Sequence, residues 1–199
     1  MSMLNKRDAR IVLTTLAVAA ILAVSAGGGI LYAGLYNVAA TDPHWPVTHW
    51  ILETGRTRSI KTHAAGLTEP AGFNDETRLV MGTEHFAAHC AVCHGAPGVP
   101  RGDIAHGLYP QPPDLAATGN RYTPAELFWI LKNGIKATGM PAWNAHGDDE
   151  LWATVAFLRK LPGMREEEYA KLVMAAMMTG GHRQHGADEA PASVGSHAH

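Results

Sequence analysis

The chain has 199 residues, 46% of them hydrophobic and 17% charged, with a formal net charge of -2. That balance is ordinary for a folded domain with some apolar surplus, and one modest domain with appendages fits it. The near-neutral charge carries no global basic footprint, so no nucleic-acid partner is expected. Both of its 2 cysteines fall in one short motif, where a disulfide would staple nothing distant, so their role is chemical.

In chain order, the first element follows Lys6, Arg7 and Arg10. From Ile11 to Tyr36 no residue is charged, which gives about 39 Å of helix against a bilayer core of ~30 Å. A single transmembrane helix with some tilt is expected, with membrane lipid as a partner. The basic cluster precedes the span and the next basic residue is Arg56. The positive-inside rule therefore leaves the N-terminus cytoplasmic and the remainder in the periplasm. A cleaved signal peptide competes with this reading, because Val24-Ser25-Ala26 is an acceptable small-residue cleavage site; cleavage near Ala26 would give a soluble periplasmic protein. Against cleavage, the apolar run continues from Ile30 to Tyr36, and Tyr32, Tyr36, Trp45 and Trp50 resemble aromatic residues at an outer interface. Both readings deliver the remainder to the same compartment.

Composition divides the chain into residues 1–38 (N-terminus and anchor), 39–78 (connector), 79–163 (compact region), 164–179 (amphipathic helix) and 180–199 (polar tail). In the connector, Val47, Trp50, Ile51 and Thr54 fall at helical spacing with Arg56, Arg58 and Lys61 close behind. A short helix on the membrane surface, or a solvated linker helix, accounts for that pattern. The compact region predicts a helix from about Leu79 to Ala91, then an irregular Gly- and Pro-rich stretch from Gly95 to Tyr122. Thr123-Pro124-Ala125-Glu126 predicts a sharp helix start, with a capping Thr, Pro at the first helical position and Glu three residues after the cap. That helix ends near Asn133-Gly134. Another begins after Asp148-Asp149 and stops at Pro162-Gly163. No segment alternates as a strand, so the region reads as all-α with long loops.

Cys90-Ala91-Val92-Cys93-His94 is the C-x-x-C-H signature of covalent haem attachment. In a helical turn, positions three and four apart share a face. Two sulfurs can then bond the haem edge while the imidazole ligates iron. A structural zinc site would want a second Cys pair, which the chain lacks. A thioredoxin-type redox pair would want a strand leading into the motif, where the pattern around Phe86 is helical.

On these residues, the region from about Leu79 to Pro162 resembles a class I c-type cytochrome. Members of that family carry a Gly and an aromatic ahead of the haem motif, matched by Gly82 and Phe86. These pack against an aromatic of the last helix, for which Trp152 and Phe157 are the candidates. The resemblance implies an all-α domain around one covalently bound haem c, preceded here by a single transmembrane helix. It places the sixth iron ligand in a Gly-Met-Pro loop, here Met140 in Thr138-Gly139-Met140-Pro141. It also assigns the carbonyl that receives the haem histidine's other N–H to the Pro110–Leu115 loop, at Pro112 or Pro113. His85, His89, His106 and His146 would be surface or haem-edge residues. Trp143, Tyr122, Asn144 and Arg101 are candidates for the haem propionates.

The site residues expected are thus Cys90, Cys93, His94 and Met140, with His94 and Met140 as the metal ligands and no catalytic residue. His/Met ligation fills the iron and suits electron transfer rather than catalysis. The chain reads as a one-electron carrier with protein redox donors and acceptors and no small-molecule substrate. A dedicated cytochrome subunit of a larger oxidoreductase is the alternative. A haem sensor or peroxidase-like enzyme with a labile Met140 is a third reading, for which no acid/base constellation is visible. In the tail, His182, His185, His197 and His199 lie among polar residues, which reads as a solvated tail or a loose metal-binding tract.

Overall fold

The computed structural model describes residues 5–118 and 121–180. The expected tail at 180–199, with its four histidines, lies almost entirely outside the described residues. Nine α-helices are described: α1 (Lys6–Tyr32), α2 (Pro46–Ala64), α3 (Glu76–His85), α4 (Ala91–His94), α5 (Asp103–His106), α6 (Leu115–Thr118), α7 (Pro124–Asn133), α8 (Asp148–Lys160) and α9 (Glu166–Gly180). One π-helical turn, Phe86–Cys90, joins α3 to α4. The described residues form no strand, only an isolated bridge between Ala96 and Val99, so the helical class read from the sequence holds.

The chain divides into two compact units at Asp42 and Pro43. In the first, α1 has 27 residues, a mean hydropathy of 2.2 in its most apolar window and no buried residue. It is long and apolar enough to cross a membrane. It ends at Tyr32, one turn before the uncharged run does. Gly34 takes φ +68°, the Leu35 N–H reaches back to the Ile30 carbonyl at 3.0 Å, and the Gly34 N–H reaches Leu31 at 3.1 Å. This pair of bonds closes the last turn as a Schellman cap, and glycine is the residue that supplies the left-handed step without strain.

In the second unit, the core is built where α3 crosses α8 and α9. Gly82 makes the crossing possible: a Cβ there would lie 2.0 Å from the Ala153 carbonyl oxygen and 2.9 Å from the Thr154 nitrogen. With the backbones this close, Phe86 reaches Phe157 at 4.9 Å between ring centroids. Both rings are fully buried, as are Leu151 and Val155, and each such side chain contributes about 1.5–3 kcal/mol through burial. Of the two expected aromatic partners, Phe157 is the one that meets Phe86. Trp152 turns instead toward α7, stacking on Phe128 at 4.3 Å with the rings 9° from parallel.

The start of α7 follows its sequence closely. Thr123 Oγ1 accepts the Glu126 N–H at 3.2 Å, and Glu126 returns by accepting the Thr123 N–H at 2.8 Å. Such a cap contributes on the order of 1 kcal/mol. Helix α2 packs on α7, burying Ile60 and Ala64 while leaving Val47, Trp50 and Ile51 exposed. In α9 the inner face is Tyr169, Leu172, Val173 and Ala176, whereas Met174, Met177 and Met178 face outward. The amphipathic helix expected at 164–179 is thus present, with these three methionines on its exposed side.

Candidate haem-binding site

The helical path expected over Leu79–Ala91 runs longer, from Glu76 to His94, and is broken in register by the π turn. There the Ala91 N–H bonds the Phe86 carbonyl, five residues back. The turn admits one extra residue, which rotates everything beyond it by roughly 100° relative to an unbroken helix. Phe86 can thus face the α8 crossing while Cys90, Cys93 and His94 take a bearing of their own. The motif then stops abruptly at Gly95, which takes φ +70° and donates its N–H to Ala91 at 2.8 Å. The following loop is tied back by the Gly102 N–H, which reaches the Val92 carbonyl at 2.8 Å.

Cys90 is buried and Cys93 half-buried, and both are free thiols. Burial, with the neighbouring Cys93 adding to it, pushes the Cys90 thiol up to about 12, so it stays a neutral thiol. His94 donates its Nδ1–H to the Pro113 carbonyl at 2.8 Å. Only the Nδ1–H tautomer can make that bond, which leaves the Nε2 lone pair available to a metal. Burial lowers the His94 pKa and the Arg101 cation adds to the effect, against the pull of the Pro113 carbonyl. The imidazole is therefore held neutral, the form that ligates iron. Pro113 is one of the two carbonyl acceptors expected.

The Met140 loop is braced from both ends. Thr138 Oγ1 donates to the Ile135 carbonyl at 2.8 Å and accepts the Met140 N–H at 3.1 Å. The Ile135 N–H reaches the Met140 carbonyl at 3.2 Å, and the Trp143 N–H reaches Leu131 at 3.0 Å. Gly134, at φ +64°, allows the loop to pass: a Cβ there would meet the Ala142 nitrogen at 2.7 Å. Met140 is half-buried and packs, with Leu115, Tyr122 and Trp143, against the apolar cluster that contains Cys90. The buried Nε1 of Trp143 has no hydrogen-bond partner among the described residues, as a donor to a haem propionate or other bound acceptor would.

Of the two places expected for His85, the surface is excluded: it is 3% exposed. The reason is Glu150, whose Oε1 lies 2.6 Å from His85 Nδ1 and whose Oε2 lies 3.3 Å from His146 Nδ1. Desolvation lowers the His85 pKa, outweighing Glu150, while His89 and His146 add to the lowering. Glu150 is itself drawn down because the bonds to His85 and His146 outweigh its own desolvation. The pair is thus a neutral imidazole donating to a carboxylate. The spacing of His146 and Glu150, four apart at a helix start, was a visible signal; the partner His85, 65 residues from Glu150, was not.

A pH dependence follows. A histidine whose folded pKa lies below its ordinary 6.5 binds protons more readily when unfolded. Its neutral burial stabilises fully above pH 6.5, and that contribution declines as pH falls toward the folded value. The urea midpoint of the protein in chelating buffer is expected to drop between pH 7 and pH 5.5, and to drop less in His85→Asn. Equal slopes in the two proteins would contradict a neutral buried His85.

Comparison with curated proteins gives no match. Residues 78–158, about two-fifths of the chain, match the family model described as cytochrome c oxidase, cbb3-type, subunit III. Over that segment the chain resembles a c-type cytochrome, a resemblance that supports haem, iron and electron transport.

Proposed function

We propose that this chain carries electrons singly through one haem c, bound covalently by Cys90 and Cys93 and ligated by His94 and Met140. The observation that carries this reading is the Nδ1–H of His94 fixed on Pro113, which supports an Nε2 lone pair committed to iron. Haem, when bound, supplies a one-electron Fe(III)/Fe(II) couple. The chain's own residues supply the rest. The Met140 loop, braced by Thr138, would hold a thioether on the distal side, and Trp143 Nε1 would satisfy a propionate. Held by both His94 and Met140, the iron would have no open position for a small-molecule substrate.

In the proposed organisation the haem domain spans residues 79–163, preceded by the anchor at 1–38 and the connector at 39–78. Residues 164–179 form a flanking helix and 180–199 the tail. Helix α1 is compatible with a single-pass anchor, and the basic residues Lys6, Arg7 and Arg10 before it favour a cytoplasmic N-terminus with the haem domain in the periplasm. The exposed Val47, Trp50 and Ile51 of α2 support contact with the membrane surface. Protein donors and acceptors would meet the domain there. The matched family description names an oxidase subunit, which favours, as a second reading, permanent docking in a larger oxidoreductase.

Separating membrane from soluble fractions and staining a denaturing gel for haem tests the proposal. A haem-positive band of this chain's mass is expected in the membrane fraction, absent from Cys90→Ala/Cys93→Ala. Stain retained without the cysteines would overturn covalent attachment, and a soluble band would overturn the anchor. On a native gel, constant migration with a large partner would favour the subunit over the shuttle.

A further inference from the structure

The cluster around Glu150 is used by no step of electron transfer through haem, yet it has the composition of a metal site. His85, His146 and Glu150 each offer a donor atom, and these atoms lie within 4.8 Å of one another. The His89 ring adjoins them, with centroids 4.7 Å from His85 and 5.4 Å from His146. We propose that His85, His146 and Glu150 bind one divalent transition-metal ion of the zinc class, separate from the haem iron.

Geometry and chemistry agree. Zinc bonds of about 2.0–2.1 Å in a tetrahedron set neighbouring donors roughly 3.3 Å apart. His146 and Glu150 are already at 3.3 Å, and the widest separation must close by only about 1.5 Å, which side-chain rotation supplies. Two imidazoles and a carboxylate form the donor set of many zinc centres with an open position.

A second observation points the same way. His85 Nε2 is buried without a hydrogen-bond partner among the described residues, on a side chain only 1% exposed. An unsatisfied buried nitrogen costs about 1–3 kcal/mol, and rotation of the ring about χ2 would bring Nε2 onto the cation in place of Nδ1, which Glu150 holds at 2.6 Å. His146 and Glu150 remain partly exposed, at 28% and 38% of their side chains, and give the ion an entry path.

Purified full-length protein, freed of metal with a chelator, would be titrated with Zn2+ by calorimetry. One equivalent is expected to bind. His146→Ala and Glu150→Gln should each weaken it at least about 100-fold, the upper end of what loss of even an outer-sphere partner costs. Glu150→Gln keeps the side-chain volume, so it remains informative if His146→Ala fails to fold; unchanged circular dichroism checks this. A chain with His182, His185, His197 and His199 all changed to Ala should retain the equivalent. Absence of stoichiometric binding, binding that survives Glu150→Gln, or binding lost only with the tail histidines would overturn the proposal.

Discussion

Changing Met140 to alanine is expected, on the proposed ligation, to give a haem that binds carbon monoxide rapidly and shows a high-spin ferric spectrum. The loop around Met140 is fixed by Thr138, Ile135 and Leu131, so removal of the thioether should leave the backbone in place and the distal position open. Met140→His should keep the low-spin spectrum but lower the potential by on the order of a few hundred millivolts, part of the ~0.8 V that axial ligation spans. The soft thioether favours Fe(II), whereas a second imidazole does not. Potentiometric titration with and without carbon monoxide reads both effects. An alanine variant that stayed low-spin and ignored carbon monoxide would remove Met140 from the iron.

The largest effect on stability is expected from Gly82→Ala. Its Cβ would sit 2.0 Å from the Ala153 oxygen and 2.4 Å from the Ala153 carbonyl carbon, and these are backbone atoms that cannot swing aside. Relief requires α3 and α8 to separate by an ångström or more, loosening Phe86 from Phe157. A loss of at least about 3 kcal/mol is expected, the upper end for overpacking. Gly55→Ala, in the interior of α2 with nothing within 4 Å of the added carbon, is the control. It should be neutral or stabilise by about 0.5–1 kcal/mol, because alanine loses less backbone freedom in a helix. Urea unfolding followed by circular dichroism measures both. Similar midpoints for the two variants would show that the close crossing does not hold the fold.

Local rules made some elements legible in the sequence. The Thr123–Glu126 box carries its geometry in four consecutive residues, and Gly134 marks its end through a backbone conformation that few other residues adopt. The C-x-x-C-H motif is local in the same way, and its helical setting is found where the pattern around Phe86 indicates. Features that depend on distant partners were not. Helix α3 begins at Glu76 after Asp75, earlier than the apolar pattern at Leu79 indicates, because helix starts can be set by polar residues that periodicity ignores. The stretch from Gly95 to Tyr122 contains two single-turn helices, too short to show a period. The π turn has no marker in Phe86-Ala87-Ala88-His89-Cys90. Nothing local tells His85 that Glu150 will meet it, and its burial arises from distant residues, Glu150 on α8 and Trp143 and His146 just before it.

With α1 as the proposed anchor, the cap at Gly34 sets the thickness of bilayer that would suit this chain. With the helix closed at Tyr32, the uncharged stretch from Ile11 rises only about 33 Å instead of the length the sequence offered. A hydrocarbon layer of ~30 Å accommodates that with a modest tilt and little elastic deformation. A markedly thicker membrane would have to thin around it, so hydrophobic mismatch, as well as charge, would influence where such an anchor resides.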